Sequence, residues 1–183
     1  MKKYLKLLPL ILYPYPYVFL LAGAPIMSLI EAAPVEVQTI VVLVPIILFN
    51  LYVIFISIYN SVMTARGSMT AYEAAKMNLT VKAWQIPAYI IHFIMGLGGL
   101  LMSIWGLPII LYAIIIDLFT IILTGINSIG CSIKMKKECK TSILMGIGCF
   151  IYCVDIVVAI AYVVISKKAQ KRNETSGVQI EIA

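Results

Sequence analysis

Charge is what this sequence has least of. Asp, Glu, Lys and Arg make up 12% of its 183 residues, and between Lys82 and Lys134 the single charged side chain is Asp117. A stretch so apolar does not belong to a soluble domain; it is long enough for two passes through a hydrocarbon layer about 30 Å thick. Histidine occurs once, at His92, which excludes a His-Glu-x-x-His zinc site. The Gly-x-Ser-x-Gly elbow of serine hydrolases is absent, and Ser103 would lie about 16 Å along a helix from His92. No Gly-x-Gly-Asp motif is present either: Gly146-Ile-Gly148 runs into Cys149, and the aspartates sit in Ile116-Asp117-Leu118 and Val154-Asp155-Ile156. An intramembrane aspartyl protease is therefore the last of the readings, although two aspartates on neighbouring helices are what it needs. The cysteines at 131, 139, 149 and 153 form no Cys-x-x-Cys pair. Cys149 and Cys153, one turn apart on a helix, read as small packing residues rather than as a soft-metal site with His92. No metal and no cofactor are expected.

Apolar residues fill the space that charge leaves. They reach 62% of the chain, with a mean hydropathy of +1.03, and they fall in five runs: about 7–30, 37–61, 84–104, 108–129 and 143–165. Each has the length that crosses a bilayer as a helix. The fold expected is all-α, a polytopic transmembrane bundle of five spans over residues 1–166, followed by a polar, disordered tail over 167–183. The links Glu31 to Glu36 and Ser103 to Pro108 are short and carry no Lys or Arg, as hairpins between antiparallel helices do. Between the second and third spans, Thr70-Ala-Tyr-Glu73 has the spacing of a capping box and opens a short cytoplasmic connector helix ending near Lys82. No internal repeat is evident.

The net charge of +6 does not point to nucleic acid, because the basic residues cluster at the ends of apolar runs with no aromatic interleaving on a polar face. They read as topology signals. Lys2, Lys3, Lys6, Arg66, Lys76, Lys82, Lys134, Lys136, Lys137 and Lys140 go to the cytoplasmic side, which leaves Lys167, Lys168, Lys171 and Arg172 outside. The amino terminus is expected inside and the carboxy terminus outside, in the cell membrane. The first segment also has the look of a secretory signal, with Ala22-Gly-Ala24 as a cleavage-like triplet. Its apolar run continues past the triplet and Pro25 would follow the cut, so it is expected to stay. Pro9, Pro14, Pro16 and Pro25 should kink or open it, and Tyr13, Tyr15 and Tyr17 suit an interface or a packed groove.

Helical spacing locates the interior. Gln85, Tyr89, His92, Gly96, Gly99 and Ser103 recur at steps of four and three on the third span. Asp117, Thr120, Thr124 and Asn127 do so on the fourth, and Cys149, Tyr152, Asp155, Ala159, Tyr162 and Ser166 on the fifth. Lipid offers no hydrogen bonds, so these faces should meet in a polar seam, with Gly96, Gly99, Ser103, Cys149 and Cys153 allowing close helix approach. His92, Asp117 and Asp155 are the ionisable groups expected at mid-membrane, Tyr89, Thr120, Thr124 and Tyr152 their polar company. The functional form of this expectation has Asp117 and Asp155 sharing a proton across helices, with His92 linked through water or Tyr152. Its structural form has each carboxyl, protonated, bonded within a packed bundle.

The stretch Asn78-Leu-Thr-Val-Lys82-Ala-Trp-Gln-Ile-Pro87-Ala-Tyr89, the Asp117 helix and Cys153-Val-Asp155-Ile-Val together resemble a group of small multispan bacterial membrane proteins defined by a domain of unknown function. The resemblance covers about the last hundred residues. It implies a bacterial cytoplasmic membrane and brings no activity, ligand or catalytic residue. The function expected from the sequence is an accessory or interaction component, its partners the lipid bilayer and a membrane protein or second copy of the chain. A small proton-coupled permease using the Asp/Asp/His seam is the alternative.

Overall fold

The computed structural model describes residues 6–17, 34–142 and 144–175, and every regular element among them is helical. In chain order these are α1 (Leu8–Leu12), α2 (Val35–Arg66), α3 (Ala71–Leu101), a 3₁₀ turn (Ser103–Gly106), α4 (Leu107–Cys139), α5 (Leu144–Gly148) and α6 (Val154–Thr175). Three stretches are long and apolar enough to cross a membrane: Ile40–Arg66, Ala71–Leu101 and Ser103–Cys139. Of the five expected spans, these correspond to the second, third and fourth. Most of the first, including Ala22-Gly-Ala24 and Pro25, lies outside the described residues.

α3 and α4 form an antiparallel pair whose rungs run the length of both helices. Ala71 N–H donates to Glu138 Oε2 at 2.7 Å, Ser128 Oγ to Asn78 Oδ1 at 2.7 Å, and at the far end Gly99 abuts Gly106, where a Cβ on either would overlap the other's backbone. The Thr70/Glu73 capping box forms as expected. The helix it opens does not stop near Lys82, however. It runs unbroken to Leu101, so the connector helix and the third span are one element. Asn78, which sits in a glycosylation-like triplet, is thereby buried in the bundle. α4 likewise continues through Lys134, Lys136 and Lys137 and ends only where Lys140 turns left-handed, with φ 53°. At about 1.5 Å per residue these helices exceed the hydrocarbon thickness, so they tilt or project beyond it.

The fifth expected span is not one helix. α5 stops at Gly148, residues 149–153 form a turn, Cys153 adopts φ 63°, and α6 starts at Val154. Gly146 and Gly148 weaken the helix there, and the Phe150 ring lies where a side chain on Gly125 of α4 would stand. Short turn bonds from Cys149, Phe150 and Ile151 N–H to Gly146, Ile147 and Gly148 carbonyls satisfy three donors of the broken stretch, as a lipid setting favours. At its other end α6 extends to Thr175, nine residues into the stretch expected to be disordered. A helix already nucleated propagates readily through Lys, Gln and Arg, and these cations favour a helix carboxy terminus. Residues 176–183 lie outside the described ones.

The amino-terminal segment packs as a plug against α2 and α3. Leu7, Leu10, Tyr13 and Tyr17 are buried with Val53 and Val81. Pro14 has no N–H for the Leu10 carbonyl, and Gln85 Nε2 donates to that carbonyl instead at 2.7 Å. Asn50 of α2 is the second anchor: Tyr13 OH donates to its Oδ1 at 2.6 Å, and its Nδ2 donates to Tyr17 OH at 2.6 Å. Asn50→Ala should therefore weaken docking by roughly 1–3 kcal/mol. Hydrogen exchange should quicken over residues 6–17 and stay slow in α3 and α4; unchanged exchange in the segment would mean that Asn50 does not hold it.

Candidate functional site

Two pairs of ionisable side chains lie between α3 and its neighbours, about 15 Å apart along the helix. In the first, Lys82 Nζ donates to Asp155 Oδ2 at 2.7 Å, with the two side chains 0% and 2% exposed. Thr124 Oγ1 stands 3.4 Å from the same ammonium. Asp155 occupies the first turn of α6, and its Oδ1 accepts the Ile156 N–H at 2.8 Å. The carboxylate is therefore held by a cation, a backbone donor and the positive end of the α6 dipole together. In the second pair, His92 Nδ1–H donates to Asp117 Oδ1 at 2.6 Å.

The structure gives the two aspartates separate partners: Asp155 bonds to Lys82 and Asp117 to His92, with no bond between the carboxyls. Tyr89 lies between the pairs, its ring edge-on to Tyr152 with centroids 5.5 Å apart. Its hydroxyl is buried with no hydrogen-bond partner among the described residues, as is His92 Nε2. Thr120 and Thr124 are buried and return their hydroxyls to carbonyls of their own helix, Ile116 and Thr120. Asp155, Ala159, Tyr162 and Ser166 share the buried face of α6 as expected.

The break at 149–153 separates the others. Cys149 is buried, whereas Tyr152 and Cys153 are exposed, so the two cysteines do not share a helix face. Among the small residues, Gly99 makes the close approach expected of it. Gly96 has nothing within 4 Å of where a Cβ would stand, and Ser103, with φ 55°, belongs to the hairpin rather than to the polar face of α3.

Lys82 is the residue that sequence reasoning missed. Counted as a headgroup-side charge, it is instead fully buried. The signal was present, because Asn78 and Lys82 continue the Gln85, Tyr89, His92 stripe backwards at the same steps of four and three.

The two pairs differ in access. Asp155 is sealed, but Asp117 is 15% exposed and lines a cavity of 410 Å³ between α3, α4 and the broken stretch. Leu97, Leu100, Ile110 and Phe150 contribute apolar walls. Its lining runs from Leu100 and Ile110, within a turn or two of the Ser103–Gly106 hairpin, to His92 and Asp117, and Phe93, Leu97, Leu100 and Leu118 are exposed, so the cavity is an open-sided groove along the bundle. Chemically, the His92–Asp117 pair is a one-proton site: it is net neutral with a proton on both ring nitrogens and net negative with one. No family model, curated protein or solved structure matches this chain.

Proposed function

We propose that the chain is a small proton-coupled permease of a bacterial cytoplasmic membrane. The Asp117–His92 pair is its proton site, and the Lys82–Asp155 pair is the closure beneath. The observation that carries this reading is the asymmetry of access: one aspartate opens onto a cavity and the other, at the start of α6, is sealed by a lysine. Broken helices and ionisable residues facing a cavity are the parts from which carriers build ion sites at membrane depth. On this reading the first segment and the broken α5–α6 stretch complete five passages. Nine of the ten basic residues assigned to the inside remain there once Lys82 is placed in the bundle. The hairpin and the end of the cavity beside it then face outward, with the amino terminus inside and the carboxy terminus outside.

A second reading, an accessory or interaction component, is favoured by α2, of whose most apolar window only 11% is buried. Ile47, Leu48, Leu51 and Phe55 stand exposed there, open to lipid, a membrane-protein partner or a second copy.

Two-sided reach separates the readings. With the four native cysteines replaced, an impermeant thiol reagent should modify Thr124→Cys, beneath the cavity, from the side opposite the hairpin whenever the Lys82–Asp155 closure opens. It should modify Gly96→Cys, in the cavity, from the hairpin side. A Thr124→Cys protein that is folded, inserted and never modified from either side would end the permease reading and leave the accessory one.

A further inference from the structure

The cavity carries a charge that no cation among its described lining residues cancels. Lys82 and Asp155 neutralise each other inside the bundle. Among the described residues Asp117 is paired with an imidazole and no cation, and with His92 neutral the cavity ends on one net negative charge. That charge lies ten residues from the start of α4, about 15 Å from the hairpin. Among the described residues the titratable groups interacting with Asp117 besides His92 are Tyr89 on α3 and Tyr152 from the broken stretch, and those two in turn interact with Cys153 and with Asp155 on α6. None of them brings a further positive charge to Asp117.

The cavity that Asp117 lines is also lined by Phe93, Phe150 and Tyr152 with aliphatic side chains. A hydrated inorganic cation would surrender its water there without replacement ligands, and no cluster of three His, Cys, Asp or Glu among the described residues could hold a metal. A cation whose own surface is apolar fits instead: aromatic rings attract its charge, its bulk replaces empty space, and Asp117 pairs with it. The volume of 410 Å³ falls within the range of about 300–1,000 Å³ usual for pockets that take drug-sized ligands.

We infer that the cavity binds a lipophilic organic cation, an ammonium or phosphonium carrying aromatic or alkyl groups, ion-paired to Asp117. This rests on the reading of Asp117–His92 as the working pair. Ligand and proton compete for one negative site, so acidification that protonates the pair weakens binding.

The test uses the full chain in phosphatidylcholine nanodiscs with tetraphenylphosphonium as the probe. Binding should be saturable, should weaken on acidification, and should exceed that of tetraphenylborate, the same shape with the opposite charge, by at least about ten-fold. Asp117→Asn should lose at least about ten-fold in phosphonium affinity. Should that variant fail to fold, Gly96→Leu, which keeps Asp117 and fills the cavity, should abolish binding. Equal affinity for the two probes, or full phosphonium affinity in either variant, would overturn the inference. An amine-bearing lipid offers the same chemistry from the bilayer: competition by added phosphatidylethanolamine would make lipid the source of the cation, and its absence a free solute. Binding without two-sided reach at Thr124→Cys keeps the ligand site and discards the permease; two-sided reach without binding does the reverse.

Discussion

Lys82→Met should lose about 3–5 kcal/mol of stability, the cost of leaving a buried carboxylate without its cation. Asp155→Asn should lose a comparable amount, because the ammonium, fully buried, then has an amide and a distant threonine hydroxyl for company. The double variant Lys82→Met/Asp155→Leu should regain most of the loss. Desolvating the pair costs several kcal/mol per ion, which hydrophobic replacements of similar volume avoid. Heating in detergent, followed by loss of helical signal or of monodisperse protein, reads all three. A single variant as stable as the parent would show that the pair is not formed. A double variant as poor as the singles would show that the site requires polarity for some other reason.

The same argument decides how the two aspartates are to be tested for function. Treated as partners sharing a proton, they would be replaced together by asparagine. The geometry makes that experiment ambiguous, since Asp155 holds α6 to α3 and its loss damages the bundle. Asp117 is different. Its partner is an imidazole, which needs no counter-charge in its neutral form, and the position borders a cavity, so Asp117→Asn removes the proton site while leaving no stranded charge.

What the sequence made legible is the set of faces, and what it hid is their pairing. Steps of three and four placed Gln85, Tyr89 and His92 on one face of α3, and that face is buried, because helical period depends on the chain alone. The capping box at Thr70 was legible for the same reason: its bonds span three residues. Which aspartate meets which cation depends on the relative height of α3, α4 and α6, and no local pattern carries that height. Lys82 was misassigned because a lysine near a span end normally marks the headgroups. A buried Asp155 in the next turn of space overrides that tendency. The break before Val154 was illegible because its signals, two glycines among apolar residues, are equally common in unbroken membrane helices. It becomes intelligible only with Phe150 seated over Gly125 and Asp155 drawn to Lys82.

Gly96 and Gly130 show the same limit at single positions, and the same substitution should separate them. Both are glycines inside long apolar helices. At Gly130 a Cβ would overlap the Ser61 carbonyl of α2, a backbone group that cannot swing aside. Beside that contact Ser57 Oγ donates to the Leu123 carbonyl at 2.5 Å. Gly130→Leu should therefore push α2 from α4, break that bond and exceed the roughly 1–3 kcal/mol usual for overpacking, since backbone must move. The expected result is loss of monodisperse, protease-resistant protein. At Gly96 the space is open. Gly96→Leu should leave thermal stability within about 1 kcal/mol of the parent, because the added side chain enters a cavity and removes no contact. Its effect should appear in the cavity alone: Asp117 loses its access from the hairpin end while its bond to His92 stays. If Gly130→Leu were as stable as Gly96→Leu, α2 would not pack on α4 as described. If Gly96→Leu unfolded the protein, the cavity would be closed in the membrane, and the route to Asp117 on which both the permease and its cationic ligand depend would not exist.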